Sequence, residues 1–201
     1  MLTTAAGEFY GLLKDSYELF PISKTPRTAN PLEDVWGAMI FSILKTLALG
    51  IWLGSLLMLG YAVAGPIFQQ SPSKTLAGAI NGIILGRMNS IEWVCALVAL
   101  ATAIILLALN WAGETRAMRM AEVAILCVSI VLLWFYSNRI TGRMETLRQT
   151  IGDFDHPKQT KEYVEAKADF DDLHHRYTKL VGINMVLILG GFVLSMVNVR
   201  R

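Results

Sequence analysis

Four long apolar runs constrain this chain more than any other feature. They are residues 46–68, 91–111, 117–136 and 180–199. An α-helix rises about 1.5 Å per residue, so each run is long enough to cross a hydrocarbon core roughly 30 Å thick. A backbone in lipid must satisfy its own hydrogen bonds, and the four runs therefore predict four membrane-spanning helices.

The composition fits a single membrane domain. Of the 201 residues, 54% are hydrophobic, and the formal net charge of +2 is too small to indicate nucleic-acid binding. The two cysteines form no C-x-x-C motif, which excludes cysteine-based zinc sites and covalent haem attachment. We therefore predict an all-α protein whose residues 31–201 form an integral membrane four-helix bundle.

The first thirty residues differ from the rest of the chain. Their apolar residues recur at helical spacing among charged ones, which predicts an N-terminal extension, residues 1–30, with an amphipathic surface helix. We expect no cleavable signal peptide, because this segment lacks a continuous apolar stretch. Asn30 can cap a helix that begins at Pro31, so the first helix starts well before its apolar run.

The segment between the third and fourth runs, residues 137–179, is charged but strongly patterned. It contains eight basic and eight acidic residues, so it is not a polybasic lipid-binding segment. Apolar residues recur at spacings of three and four on both sides of a predicted turn at residues 153–157. They are Ile140, Met144, Leu147 and Ile151, then Tyr163, Ala166, Phe170, Leu173, Tyr177 and Leu180. The pattern predicts a protruding helical hairpin, about 20 Å tall, that either binds a partner or stands alone.

Glycines recur at every fourth position, 78, 82 and 86, just before the second apolar run. A single helix from residue 74 to the end of that run would be about 54 Å long, which exceeds one membrane crossing. We therefore expect a membrane-surface helix that bends into the second span near residues 87–89. The glycine stripe would let another helix approach closely, and ligand binding at the stripe is the alternative.

Polar side chains near the ends of the apolar runs are the candidate functional residues. Lys45 and Glu122 lie at the edge nearer the chain termini, where they can pair. Glu92 lies at the opposite edge, where it can pair with Lys179 or Arg176. These groups either form structural contacts that hold the helices together or form a polar path for a proton, an ion or a headgroup. The full set is Lys45, Glu92, Glu122, Arg176, Lys179 and Asn184.

The histidines indicate little chemistry. His174 and His175 lie near the membrane edge and are the only candidates for cofactor binding, as a haem or metal ligand. A metal site needs three or four converging ligands, and Asp171 with one histidine supplies only part of such a set. No catalytic residues are predicted, because no Ser/His/Asp or Cys/His arrangement, phosphate loop or catalytic carboxylate pair is present.

Three segments together resemble a known family. They are residues 48–55 (ALGIWLGS), 86–93 (GRMNSIEW) and 170–177 (FDDLHHRY). In order and spacing they are similar to the small four-span proteins related to transmembrane protein 205, a domain of unknown function, over about residues 45–201. A histidine commonly precedes the tryptophan-glycine segment in those relatives, and Lys45 stands there in this chain, which argues against haem or copper ligation. The resemblance implies a four-helix membrane bundle and no activity.

The sequence as a whole favours a non-enzymatic integral membrane protein that is an accessory or scaffolding subunit of a larger membrane complex. Its expected partners are membrane lipid and other membrane subunits, with no nucleic acid and no predicted cofactor. The alternative is a small membrane transporter or a metal- or haem-handling protein. We expect a multi-pass protein of the bacterial inner membrane with both termini on the same side. Six basic residues flank each edge of the membrane, so orientation stays undetermined.

Overall fold

The computed structural model describes residues 31–109 and 115–199 of the chain, and residues 38–201 belong to one compact unit. The predicted N-terminal surface helix lies outside the described residues. The helices are α1 (Pro31–Leu57), a π-helical segment (Met58–Val63), α2 (Ala64–Gln70), α3 (Lys74–Leu109), α4 (Arg116–Trp134), a second π-helical segment (Phe135–Ile140), α5 (Thr141–Ile151) and α6 (Lys161–Val199).

These segments join into four long helices. Helix 1 combines α1, the first π-helical segment and α2; helix 2 is α3; helix 3 combines α4, the second π-helical segment and α5; helix 4 is α6. All four are long and apolar enough to cross a membrane. The prediction of an all-α membrane four-helix bundle is confirmed.

Helix 3 supplies the central packing seam of the bundle. Its buried residues alternate at spacings of four and three, which keeps them on one face over five turns. They are Glu122, Leu126, Ser129, Leu133, Tyr136 and Ile140. Trp52 of helix 1, Ala99 of helix 2 and Ile188 of helix 4 pack into the same apolar core. Three of the six seam residues, Glu122, Ser129 and Tyr136, carry a carboxyl or hydroxyl group, so the core contains polar positions.

The hairpin between the third and fourth spans is present, and the predicted stripes face each other in it. Ile151 of helix 3 packs with Tyr163 and Ala166 of helix 4 at the far end of the hairpin. Phe154 in the turn meets Phe170 edge to face, with ring centroids 5.3 Å apart. Helix 3 ends at Gly152, whose positive φ of 68° is readily adopted by a residue without a Cβ.

Helix 2 differs from the expectation of a surface helix that bends at residues 87–89. It is one unbroken helix, and its first half rises beside the hairpin. The backbone N–H groups of Lys74 and Thr75 donate to the Asp155 carboxylate at 2.7 and 3.2 Å. Because Asp155 caps this helix N-terminus from a distant turn, the first half of helix 2 is held upright.

The hairpin turn carries an ion pair whose strength depends on pH. His156 Nδ1 lies 2.8 Å from Asp153 Oδ2, and this hydrogen bond raises the pKa of His156 above its ordinary value of 6.5. The same bond, together with the backbone N–H of Asp155, lowers the pKa of Asp153 from 3.8 to about 2. Stabilisation by His156 is complete below its unfolded pKa and is lost as the pH rises through the raised folded value. Stabilisation by Asp153 is complete above pH 3.8 and is lost as the pH falls through about 2.

We therefore expect the turn to be best ordered between about pH 4 and pH 6.5. Amide hydrogen exchange at residues 153–156, corrected for intrinsic rates, should show the greatest protection in that interval. In the His156→Gln variant the loss of protection at higher pH should disappear. If the two proteins gave the same profile, the ion pair would not be what orders the turn.

Candidate functional site

A buried ion pair and a third polar side chain connect helices 1, 3 and 4. They lie near the end of the bundle where the first apolar run begins. Lys45 Nζ lies 2.6 Å from Glu122 Oε1 and donates a hydrogen bond to Glu122 Oε2 at 2.7 Å. Both side chains are 1% exposed. Asn198 Nδ2 of helix 4 donates to the same carboxylate at 3.4 Å. We call these residues the lower polar layer, and the structure brings Lys45 and Glu122 together as the sequence predicted.

A second buried cluster takes one residue from each of the four helices. Glu92 Oε2 accepts hydrogen bonds from the Tyr136 hydroxyl at 2.6 Å and the Trp52 indole N–H at 3.3 Å. The Tyr136 hydroxyl in turn accepts from Asn184 Nδ2 at 3.1 Å. All four side chains are fully buried. We call them the upper polar layer; it fixes the relative positions of all four helices.

The predicted pairing of Glu92 with Lys179 or Arg176 is wrong. Both basic side chains are exposed, and Arg176 instead forms an ion pair of 2.9 Å with Asp172 one turn earlier. Tyr177 and Asn184, seven residues apart, face the bundle, so residues 176 and 179 point away from it. Helix 4 thus presents an amide, and no charge, to Glu92.

The two polar layers are separate. Glu122 and Tyr136 are fourteen positions apart on helix 3, which is about 21 Å along the axis. The interval contains the fully buried Leu126 and Leu133, with Ser129 halfway between the layers. Among the described residues no hydrogen bond joins one layer to the other, so each layer connects the helices independently.

The candidate cofactor residues lie on the hairpin, outside the bundle. The ring of His174 stacks on Phe170 with a centroid distance of 6.4 Å, and both line a groove. His175 is exposed beside it. Within residues 31–109 and 115–199, no three histidine, cysteine or acidic side chains converge as a metal site would require.

The groove that His174 lines lies between the first half of helix 2 and the hairpin. Its volume is about 440 Å³. Gly78 and Gly82 form its helix 2 side, and a Cβ added at either would meet no atom within 4 Å. Gly78 and Gly82 of the glycine stripe therefore border an open space in the described part of the chain, instead of the neighbouring helix that the sequence predicts. We call this space the stalk groove.

The family comparison can be set beside this geometry. Residues 47–150 match the family described as Domain of unknown function (DUF4149), which is more than half of the chain. The chain belongs to this family. The comparison with curated proteins found no significant match, and neither did the comparison with solved structures. The resemblance to a family of unknown function is confirmed at that level, and the relation to transmembrane protein 205 stays a prediction.

The DUF4149 segment contains three of the four members of the upper polar layer. Trp52, Glu92 and Tyr136 lie inside it, whereas Asn184 lies beyond its end. The lower polar layer is divided, because Glu122 lies inside the segment and Lys45 lies just before it. The family match therefore covers the acidic member of each layer.

Sequence reasoning missed Trp52 and Tyr136 as partners of Glu92. Their donors are single groups on large apolar side chains, and nothing in their own composition marks them as polar contacts. One signal was present on helix 3. Glu122, Ser129 and Tyr136 follow one another at intervals of seven, which places all three on the face that carries a buried acid.

Proposed function

We propose that this DUF4149 protein is a non-enzymatic accessory or scaffolding subunit of a larger membrane complex. The observation that carries the proposal is an apolar surface on helices 1 and 2 that stands beside the charged hairpin at the same height. A second subunit that covers this surface accounts for it. The bacterial inner membrane remains the predicted location.

The upper polar layer contains one residue from each helix, so it marks the same distance along the bundle axis on all four. The number of charged residues between this layer and the hairpin turn can therefore be compared among the helices. Beyond the upper polar layer, residues 53–70 of helix 1 contain no charged residue and residues 74–91 of helix 2 contain two. Residues 137–151 of helix 3 contain four charged residues, and residues 161–183 of helix 4 contain nine. Each segment is at least about 22 Å long, so the contrast extends along the whole hairpin.

Large apolar side chains cover the outside of helices 1 and 2 at this height. They are Leu57, Met58, Tyr61, Leu76, Ile80 and Ile83, which we call the apolar wall. Tyr61 is 90% exposed and Ile83 is 63% exposed. Because the neighbouring hairpin requires water, lipid alone is a poor cover for the wall, whereas an apolar protein surface would suit it.

The backbone of the wall can be approached closely. A Cβ added to Gly54, Gly60 or Gly65 of helix 1 would meet no atom within 4 Å. In membranes, small residues at a helix surface let a second helix pack at short distance, where van der Waals contact supplies the association energy. The apolar wall thus combines large apolar side chains with neighbouring glycine positions at which another helix can pack closely.

The buried polar groups support a structural role and not a catalytic one. Glu122 is bonded to Lys45, and Glu92 is bonded to Tyr136 and Trp52, so both acids are engaged within the bundle. Thr46 and Ser195 join helices 1 and 4 at the lower end, with their hydroxyl oxygens 3.0 Å apart. This contact places residue 46, where the first apolar run begins, beside the end of helix 4, which supports termini on the same side.

A matched pair of substitutions tests the subunit proposal. Ile83→Trp adds bulk to the apolar wall, and Val131→Trp introduces the same side chain at a 64% exposed position on helix 3, away from the wall. Tryptophan is tolerated on an apolar surface, so both variants should fold and insert. After mild detergent extraction from native membranes, the wild-type chain and Val131→Trp should migrate well above 22.3 kDa plus detergent with a second polypeptide. Ile83→Trp should lose that polypeptide.

A monodisperse single chain from native membranes, with no second polypeptide, would overturn the subunit proposal and leave lipid as the cover of the wall. The second candidate, a small transporter or a metal- or haem-handling protein, is favoured by one observation. Glu92 Oε1 and Asn184 Oδ1 are buried acceptors without a hydrogen-bond partner in the described part of the chain. A Soret band or stoichiometric metal in the same preparation would support it.

A further inference from the structure

The stalk groove has one polar side and one apolar side. The apolar side includes Phe68, Leu85 and Met144, which belong to three different segments of the fold. The polar side carries three basic residues and one acidic one, with His174 and Asn81. A cavity of about 440 Å³ is large enough for a headgroup and the first part of an acyl chain. The glycines leave open space for a ligand, and the charged residues provide groups that can bind its polar part.

The basic residues of the groove are not equivalent. Arg148 forms a two-bond pair with Glu145 at 2.7 and 2.8 Å, and Lys167 is paired with Asp171 one turn later. For the Lys74 side chain, the described residues supply neither an ion pair nor a side-chain hydrogen bond. Its own backbone N–H is bonded to Asp155, which holds the Lys74 backbone beside the groove that it lines. The ammonium group of Lys74 is therefore available to an anion in the groove.

A second group in the groove also lacks a partner. Asn81 Oδ1 is buried from solvent and has no hydrogen-bond partner in the described part of the chain. An amide oxygen accepts hydrogen bonds, so it requires a donor such as a hydroxyl group. Lys74 and Asn81 lie seven residues apart on the same face of helix 2. The groove thus combines an available cation with a buried acceptor.

We propose that the stalk groove binds an anionic phospholipid whose headgroup carries hydroxyl groups, of the phosphatidylglycerol class. The phosphate lies against Lys74, a headgroup hydroxyl donates to Asn81, and an acyl chain lies along Phe68 and Leu85. A free phosphate ion would leave the apolar side of the groove in water. A zwitterionic lipid would bring a cation towards Lys74, and a choline headgroup in addition has no donor for Asn81.

Lipid binding can be measured on the purified full-length chain in detergent by native mass spectrometry. Phosphatidylglycerol is the probe, with phosphatidylcholine and inorganic phosphate as separate arms. Lys74→Gln should weaken phosphatidylglycerol binding about fivefold, because one basic side chain near a headgroup is removed. Lys158→Gln removes the same charge from the hairpin turn outside the groove and should leave binding unchanged.

A steric pair keeps the test independent of charge. Gly82→Leu fills the groove, and Gly142→Leu adds the same side chain at an equally open position on helix 3 outside it. Gly82→Leu should lower phosphatidylglycerol binding roughly tenfold or more, since the occupied volume is removed. Gly142→Leu should bind as the wild type does. Helix content and thermal stability of both variants confirm that they fold.

Three results would overturn the proposal: equal binding of phosphatidylcholine, competition by inorganic phosphate at the affinity of the lipid, or unchanged binding in Lys74→Gln and Gly82→Leu. The test uses the isolated chain, so its outcome does not depend on whether a partner subunit covers the apolar wall. Loss of a partner in Ile83→Trp with intact lipid binding would separate the two proposals.

Discussion

Replacing Lys45 with methionine should destabilise the protein by about 3–5 kcal/mol. The substitution leaves the Glu122 carboxylate buried with only the weak 3.4 Å hydrogen bond from Asn198. An uncompensated buried charge is costly because the surrounding helices cannot replace the water that it would otherwise bind. The free energy of unfolding, measured by denaturing-detergent titration of the protein in mixed micelles, checks this value.

Two further variants separate the buried pair from a general loss of charge. The double variant Lys45→Met/Glu122→Leu removes both charges and should recover most of the lost stability, because similar-sized apolar residues replace a buried pair at little cost. Lys161→Met removes a lysine whose exposed partner Glu165 lies 3.8 Å away, and should cost less than about 0.5 kcal/mol. A double variant as unstable as Lys45→Met would show that the charge pair is not the cause.

Removing the Tyr136 hydroxyl should have the second largest effect, a loss of about 2 kcal/mol in the free energy of unfolding. In Tyr136→Phe, Glu92 loses its 2.6 Å donor and Asn184 loses its acceptor, so two fully buried groups are affected at once. An average hydrogen bond between membrane helices contributes only about 0.6 kcal/mol. The larger value is expected because one of the two lost bonds is made to a carboxylate.

Tyr177→Phe is the matched control for that measurement. The Tyr177 ring packs edge to face against Tyr136 with centroids 5.7 Å apart, so it shares the same environment. Its hydroxyl makes no hydrogen bond to the described residues, and its removal should change stability by less than about 0.5 kcal/mol. Equal losses in the two phenylalanine variants would mean that packing at this level, and not the bond to Glu92, carries the stability.

The parts of the fold that follow from periodicity could be predicted. The stripe from Ile140 to Ile151 and the stripe from Tyr163 to Leu180 meet as a helical hairpin, because residues three and four apart share a helix face. The pairing of Lys45 with Glu122 also followed, since both lie at one edge of the apolar runs and a buried charge requires an opposite charge.

The course of helix 2 could not be predicted, because the deciding contact is between distant parts of the chain. The Asp155 carboxylate accepts from the N–H groups of Lys74 and Thr75, about eighty residues earlier. The sequence around residues 74–75 does not indicate that contact. Considered alone, a helix of this length is longer than one membrane crossing requires. The stalk groove depends on the same contact, since it exists only where helix 2 stands beside the hairpin.

For the candidate site, too, one part follows from the sequence and another part depends on how the helices pack. The four apolar runs determine by themselves that the chain spans a membrane as helices, because hydrocarbon leaves the backbone no other way to satisfy its hydrogen bonds. Only the tertiary structure decides that Glu92 meets Trp52, Tyr136 and Asn184, since helix rotation and relative height place those four side chains together. Hydrophobic periodicity specifies the face that a helix buries, whereas packing against the other helices sets its height and its neighbours.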